Sequence, residues 1–407
     1  MVCSLVSNGR GTTMELTTTR WSRTEQWSGA LPPWDGPGTL VLAFGASALA
    51  AAPEPLRELA AAYPTSVLVG CSSAGEILGD TVTDGGVVVA VARFASTRLH
   101  LVHEKVPQPG DSRDAGLSLA RRLGADEPEL SGLFVLSDGL SVNGSALTAG
   151  LIEGAEGRTS ISGGLAGDGS DFAHTWVLID GEPRSDHVSA VGLAGPALRL
   201  GHGSRGGWDD FGPERLVTRS EGNVLYELDG QPALELYKRY LGDRAAGLPA
   251  TALLFPLAVR VPGAYDRELV RTVLAVDEAT MSMTFAGDVP EGSTSRLMRA
   301  NFDRLIDAAH LAATDTVAVA DPAAAGPGSD GGGGGAGGPT LAVAVSCVGR
   351  RLLLTRRTED ELEAAQAGLP GDSQMVGFYS YGEISPVSAG TCDLHNQTMT
   401  LTTISEQ

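Results

Sequence analysis

Several residues able to do chemistry lie together in one short stretch that reads VGCSSAGEILGD. It carries a thiol (Cys71), two hydroxyls (Ser72 and Ser73) and a carboxylate (Glu76). A thiolate is a nucleophile when its surroundings lower its pKa, which makes Cys71 a candidate nucleophile with Glu76 or His395 as acid or base. However, no histidine lies near Cys71 in the sequence, and a neighbouring carboxylate raises the pKa of a thiol. The residue types therefore favour one wall of a ligand site over a catalytic centre.

Two further glycine-rich turns follow apolar runs, Ser137–Gly144 and Gly163–Gly169. They add Asp138, Gly164 and Asp168 as candidate ligand contacts. In α/β proteins ligands bind at strand ends, where glycines let them approach the backbone and where N–H groups are free. The structural alternative is that these glycines only permit tight turns. Three such turns in one chain favour a binding pocket.

The C-terminal half offers charged and aromatic candidates. Arg271 and Arg350 are suited to an anionic group of a ligand. Glu383 follows several aromatic residues, among them Tyr381, and a carboxylate beside ring faces is suited to a cationic or amino group. The alternative for Glu383 is a buried glutamate that closes a turn.

Other chemistries have weaker support. GCSSAG lacks the second glycine of a nucleophile elbow, and the chain has no phosphate-binding loop of the G-x-x-x-x-G-K-[ST] type. The four cysteines are too widely separated for a zinc site and are expected to be free thiols in a reducing compartment. No cofactor is predicted, although the seven histidines leave one axial haem ligand open.

Charge and hydropathy narrow the class of partners. The formal net charge is −20 and the pI is about 4.7, which opposes binding to nucleic acids and to anionic membrane surfaces. No run of apolar residues is long enough to span a membrane, and the N-terminus lacks the apolar core of a signal peptide. We therefore expect a cytoplasmic protein, whose translation starts at Met1 or at Met14.

The alternation of apolar runs with helix-like segments predicts an α/β fold with mixed sheets and some α+β character. Strands are predicted at Thr39–Phe44 and Ser66–Gly70, with a helix over Pro53–Ala62 between them. Ser160–Asp168 is predicted to be a turn, and Ser293–Ala313 a helix. No convincing internal repeat is found.

Seven blocks carry a resemblance to a known family, and they occur in order along the chain: GCSSAGEI, GGLAGDG, NVLYELDGQPALELY, FAGDVPEG, SCVGR, GFYSYGEISP and LHNQT. With these blocks the sequence resembles the FIST family, in both its N-terminal and its C-terminal parts. The resemblance implies two consecutive domains packed together, over residues 38–212 and 213–407. Residues 1–13 show no periodicity worth burying, and residues 1–37 are expected to be a flexible tail. The glycine-rich segment 321–339 is of low complexity and cannot bury a core, so it is expected to be a disordered loop.

The resemblance also implies a function. FIST proteins are sensory modules thought to bind small ligands, such as amino acids or related metabolites, and some relatives are described as haem-containing nitric oxide sensors. No length remains here for an output domain. The implied partner is therefore a separate signalling protein such as a kinase or cyclase.

Overall fold

The computed structural model describes residues 13–157, 159–248, 250–261, 268–320, 338–388 and 391–407. Its secondary structure begins with the following elements: β1 (Glu15–Ser22), β2 (Gln26–Trp27), β3 (Thr39–Ala46), α1 (Glu54–Ala62), β4 (Val67–Ser73), β5 (Glu76–Leu78), β6 (Thr81–Thr83) and β7 (Val87–Arg93). We call this segment unit 1.

Unit 2 repeats the same order of strands and contains β8 (Arg98–Lys105), α2 (Ser112–Asp126), β9 (Leu130–Ser137), α3 (Gly144–Ala155), β10 (Ser160–Leu165), β11 (Val177–Ile179), β12 (Glu182–Arg184) and β13 (His187–Ala194). Unit 3 begins with β14 (Leu198–Arg205) and is interrupted by a β-rich insertion, residues 209–299. The insertion contains β15 (Asp209–Asp210), β16 (Arg215–Glu221), β17 (Val224–Leu228), β18 (Gln231–Pro232), α4 (Ala233–Leu241), β19 (Leu257–Arg260), β20 (Glu268–Arg271), β21 (Val273–Asp277), β22 (Ser282–Phe285) and β23 (Thr294–Arg299). Unit 3 then continues with α5 (Phe302–Ala320), β24 (Thr340–Cys347), α6 (Val348–Leu354), α7 (Thr358–Gly368), β25 (Ser373–Ser380), β26 (Gly382–Ser388), β27 (Thr391–His395) and β28 (Met399–Glu406).

Each unit builds one mixed sheet around a parallel pair of strands joined by helix: β3 with β4, β9 with β10, and β24 with β25. The crossover helix between them is what parallel pairing requires. On the other side of each pair lies an antiparallel strand, β7, β13 or β28. The insertion forms a separate nine-stranded sheet.

The units exchange hairpins in a cycle. Hairpin β5–β6 of unit 1 joins the sheet of unit 3, β11–β12 of unit 2 joins the sheet of unit 1, and β26–β27 of unit 3 joins the sheet of unit 2. Three backbone hydrogen bonds between units close the same cycle: Ala74 N to Tyr379 O (2.8 Å), Gly167 N to Ser72 O (3.0 Å) and Tyr381 N to Leu165 O (3.1 Å). The fold is therefore mixed α/β, and its N-terminal and C-terminal parts share sheets.

One glycine recurs at the same position of each parallel pair. Gly70, Gly163 and Gly377 each lie opposite a residue of the neighbouring strand. A Cβ at these positions would stand 2.1, 1.8 and 1.9 Å from that residue's carbonyl oxygen. Because no side chain fits at such distances, the close approach of the two strands requires glycine.

The structure corrects four expectations. Residues 15–22, expected in a flexible tail, form β1, which pairs along its length with the apolar strand β7. The expected turn at 160–168 begins as strand β10, and the predicted helix at 293–313 begins as strand β23, so helix α5 starts only at Phe302. An internal repeat, which the sequence did not reveal, is present in the topology. The three units share the same order of hydrogen-bonded strands without extended sequence similarity. The predicted glycine-rich loop lies mostly outside the described residues.

The glycine contact predicts a stability effect. Substituting Gly377→Ala is expected to lower the free energy of unfolding by about 2 kcal/mol or more, because the added methyl forces β24 and β25 apart. Gly371→Ala is the matched control, since nothing lies within 4 Å of a Cβ at that position. Urea unfolding of both variants checks the prediction, and equal stabilities would contradict it.

Candidate functional site

A cavity of about 370 Å³ lies where unit 2, unit 3 and the insertion meet. Unit 2 contributes residues around 139–144, between β9 and α3, and unit 3 contributes residues 347–349 and Tyr381. The insertion contributes Thr272 and residues 285–287. The volume lies within the range of small-molecule sites.

The topology explains why these segments converge. Residues 139–144 follow β9 and residues 347–349 follow β24, and in both units a helix begins at this strand end. Asn143 caps α3 by accepting a hydrogen bond from Ala146 N at 2.9 Å. The positive end of the α3 dipole therefore faces the cavity, which favours a carbonyl or carboxylate oxygen there.

The cavity lining is mainly apolar. Among the described residues that line it, none carries a charged side chain. Thr272 is one of the polar residues in the lining. It is 4% exposed, and its Oγ1 has no hydrogen-bond partner in the described part of the chain. A buried hydroxyl without a partner is unfavourable, so this part of the wall carries an unmet hydrogen-bonding requirement.

Four large apolar side chains form the rim of the cavity: Leu140, Phe172, Leu274 and Leu352. Each is between 40% and 46% exposed. They are four of the nine large apolar side chains that the described residues leave exposed. Such a concentration around one opening is typical of a ligand or partner site.

Two amide side chains lie behind the floor of the cavity. Asn396 and Gln397 are both completely buried, and their side-chain N and O atoms have no partners among the residues described. The Gln397 amide lies against Gly349, where a Cβ would be 2.5 Å from its Nε2. Gln397 also has a backbone φ of 64°, which is uncommon for a residue other than glycine. Unpaired polar groups and backbone strain together are typical of functional sites.

Of the eleven predicted ligand contacts, Tyr381 lines the cavity. Its hydroxyl donates to Asp168 Oδ1, and its ring stacks on Phe172 with centroids 4.6 Å apart. Burial raises the pKa of Asp168, but hydrogen bonds from His174 N–H, the Tyr381 hydroxyl and neighbouring N–H groups outweigh burial and leave that pKa below its usual value. Asp168 therefore fixes two lining rings from behind.

Asp138 and Arg271 also stand behind the lining. Asp138 accepts hydrogen bonds from Leu140 N and Ser141 N, both at 2.9 Å, and so shapes the turn that lines the cavity. The Arg271 guanidinium donates to carbonyl oxygens of unit 3 and the insertion, and a Cβ on the lining residue Gly287 would be 3.0 Å from it. Both side chains support the wall.

The Cys71 thiol is completely buried in the hydrophobic core, away from the cavity. Burial raises its pKa well above the usual value, which opposes formation of a nucleophilic thiolate. Ser72 accepts a hydrogen bond from Trp176 N at 3.1 Å and thereby holds the exchanged hairpin of unit 2. The thiol that does line the cavity is Cys347. Its pKa is also raised, first by burial and then by Glu383.

Glu76 and Glu383 occupy equivalent positions in two units, each within an S-x-G-E sequence. Both are buried, and burial raises the pKa of each to about 8. Each accepts hydrogen bonds from a serine and from a later backbone N–H: Ser73 and Gly86 for Glu76, and Ser380 and Thr398 for Glu383. Gly164 pairs directly with Glu383 between β10 and β26. Ser73, Glu76, Gly164 and Glu383 thus lie at the hairpin exchange, outside the cavity lining.

Arg350 lies away from the cavity lining and is completely buried. Its Nε donates to Glu361 Oε1 at 2.7 Å, and its other nitrogens donate to carbonyl oxygens of Gly206, Leu305 and Gln397. The ion pair joins α6 to α7, and the hydrogen bonds join α6 to α5 and to the segment that follows β27, which leaves little capacity for a ligand anion.

The histidines of the chain are not gathered at the cavity. No histidine is among the described residues that line it, and of the chain's histidines His202 is packed against Ser160, with a pKa that burial lowers to about 4. Within the described residues, no group of three or more His, Cys, Asp or Glu side chains is placed to hold a metal ion.

Two known domain families together match most of the chain. Residues 39–231 match the FIST N domain and residues 233–386 match the FIST C domain, so the chain belongs to the FIST family. FIST domains are sensory domains. The cavity draws residues from both matched regions. None of the helices described is both long and apolar enough to cross a membrane.

Among solved structures, the chain is similar to a chorismatase at 10% identity, covering 97% of this chain and 99% of that one, with a TM-score of 0.40. It is also similar to a cyanuric acid hydrolase at 13% identity, covering 71% and 100% of the two chains, with a TM-score of 0.26. Similarities this weak carry no inference about activity. Among curated protein sequences, none matches this chain.

Sequence reasoning named the turn that contains Asn143 but not Asn143 itself, and it missed Thr272 and the amides of Asn396 and Gln397. Thr272 lies in a strand-rich region without a glycine-rich turn, so no local pattern distinguishes it. The block LHNQT contains both amides, and its polar residues between two strands were the available signal.

The buried carboxyl group of Glu383 predicts a pH dependence of stability. Its pKa rises from the ordinary 4.5 to about 8 on folding, so the folded state keeps a proton that the unfolded state releases. The associated stability is present below the unfolded pKa and is lost as the pH rises towards about 8.

Glu383→Gln mimics the protonated form. We expect this variant to lose less stability than the wild type between about pH 5.5 and about pH 7.5, by roughly 1.4 kcal/mol for each pH unit. Glu58→Gln, an exposed position on α1, is the control. Urea unfolding at both pH values measures the difference, and parallel pH profiles for wild type and Glu383→Gln would contradict the prediction.

Proposed function

We propose that this chain is a sensor that binds a small amino-acid-related metabolite in the cavity between unit 2, unit 3 and the insertion. The observation that supports this most strongly is the mainly apolar cavity of about 370 Å³ with the unpaired, buried hydroxyl of Thr272 in its wall. In this proposal the protein acts in the cytoplasm and signals through a separate protein such as a kinase or cyclase.

The lining suggests which metabolites fit. The N-terminus of α3 and the Thr272 hydroxyl favour a carboxylate or carbonyl group, and the apolar walls favour a hydrocarbon or aromatic body. A free amino acid also carries an ammonium group, and no carboxylate among the described lining residues pairs with it. We therefore favour a deaminated or N-acylated derivative of an apolar amino acid over the zwitterion.

Thermal unfolding with matched probes tests this function. We expect 4-methyl-2-oxopentanoate, phenylpyruvate or N-acetyl-leucine to raise the unfolding midpoint more than leucine or phenylalanine does. A ligand at 100-fold over its Kd adds about 2.7 kcal/mol. Ala286→Phe fills the cavity and should abolish the rise, whereas Ala61→Phe, on the exposed face of α1, should retain it. No response to any probe, or an equal response in both variants, would overturn the proposal.

The Thr272 hydroxyl gives a second prediction. Thr272→Val keeps the side-chain shape and removes an unpaired hydroxyl, so the protein without ligand should become more stable by about 1 kcal/mol. The same change should weaken binding of the best probe about tenfold, because its hydrogen bond is lost. Thr272→Ser is the control that retains the hydroxyl. Calorimetric titration and urea unfolding measure the two effects, and unchanged affinity in Thr272→Val would show that the hydroxyl does not contact the ligand.

A further inference from the structure

A second concave surface, an open groove of about 610 Å³, lies where the insertion meets the start of α5. We call it the arginine groove and define it by Arg244, Leu254, Phe255, Arg299 and Phe302. It shares no described lining residue with the cavity. The groove is therefore a surface separate from the cavity.

The two arginines of the groove have unusual surroundings for so acidic a chain. Arg244 and Arg299 are exposed, and neither guanidinium group forms an ion pair or hydrogen bond with any residue that the structure describes. Nearby arginines do have carboxylate partners, for example Arg296 with Asp210. Asp209, which also lines the groove, is engaged by Arg304. The groove thus presents two positive charges on a protein of net charge −20.

Aromatic rings hold both guanidinium groups. Arg244 Cζ lies 5.4 Å from the ring centroid of Phe255, and Arg299 Cζ lies 6.0 Å from that of Phe211. A guanidinium group placed over an aromatic ring keeps its N–H edges available for bidentate contacts with carboxylates. Phe302 is 40% exposed beside them. Arginine and aromatic side chains of this kind dominate binding energy at protein interfaces.

We propose that the arginine groove is a docking surface for a partner protein, where it binds an extended acidic segment that carries an apolar side chain between carboxylates. The apolar side chain packs against Leu254 and Phe302, and the carboxylates pair with Arg244 and Arg299. Nucleic acid is the weaker alternative, because two arginines neutralise only two phosphates, whereas the exposed ring of Phe302 suits an apolar side chain.

The position of the groove suits signal output. Leu253 lines the cavity, and the next two residues, Leu254 and Phe255, line the groove. The helical turn Ala250–Leu254 therefore lies between the two surfaces. In this proposal, a ligand that displaces Leu253 also displaces the adjacent groove residues Leu254 and Phe255.

Fluorescence anisotropy with a labelled synthetic peptide tests the docking surface in the full chain. The probe is a short run of glutamates with a central tryptophan, and the comparison peptide has lysine in place of each glutamate. We expect the acidic peptide to bind, the lysine peptide not to bind, and Arg244→Glu with Arg299→Glu to weaken binding at least tenfold. The matched control is Arg121→Glu with Arg184→Glu, which makes the same change in net charge at exposed positions elsewhere.

Three results would overturn the proposal: no binding of the acidic peptide at millimolar concentration, an equal loss of affinity in the control pair, or displacement of the peptide by an oligonucleotide at lower concentration. Because the titration uses protein without added metabolite, its failure leaves the cavity proposal untouched. Failure of the metabolite probes, likewise, leaves the groove proposal untouched.

Discussion

The cyclic exchange of hairpins among three units is the constraint on which the rest of the structure depends. Each unit donates the hairpin that follows its parallel strand pair to the sheet of another unit. The three hydrogen bonds of this cycle join backbone groups of different units. Because a buried backbone group without a partner is unfavourable, no unit completes its sheet alone. The two sequence-matched FIST regions therefore form one interdependent structure.

The exchange explains both where the cavity lies and which polar residues surround it. Ser72, Ser73, Glu76, Ser380 and Glu383 hold the crossing strands, so their hydrogen-bonding capacity is used for the fold. Strand ends that face the insertion are not closed in this way, and there the structure leaves a cavity with an unpaired hydroxyl at Thr272. Polar side chains whose hydrogen bonds are made within the hairpin exchange are therefore structural. Polar side chains outside the exchange, such as that of Thr272, are the candidates for ligand binding.

Several features of the fold were predictable from sequence because they depend on local pattern. The buried strand at Thr39 and the helix before Ala62 follow from apolar spacing, and the structure confirms both. The repeat was harder to see, although S-A-G-E at Ser73 and S-Y-G-E at Ser380 mark equivalent turns. Short motifs separated by some three hundred residues acquire meaning only when strand order is known. Glycine-rich turns correctly indicated strand ends, but they did not distinguish strand ends that exchange hairpins from those that line the cavity.

In the function proposed above, the cavity between unit 2, unit 3 and the insertion is a ligand site. Mass spectrometry of small molecules released from protein that has been incubated with a bacterial metabolite extract tests it most directly. The account predicts that the wild-type chain releases a carboxylate- or carbonyl-bearing apolar compound in near-stoichiometric amount and that Ala286→Phe releases none of it. Release of the same compound in equal amounts from both proteins, or of no compound from either, would contradict the account.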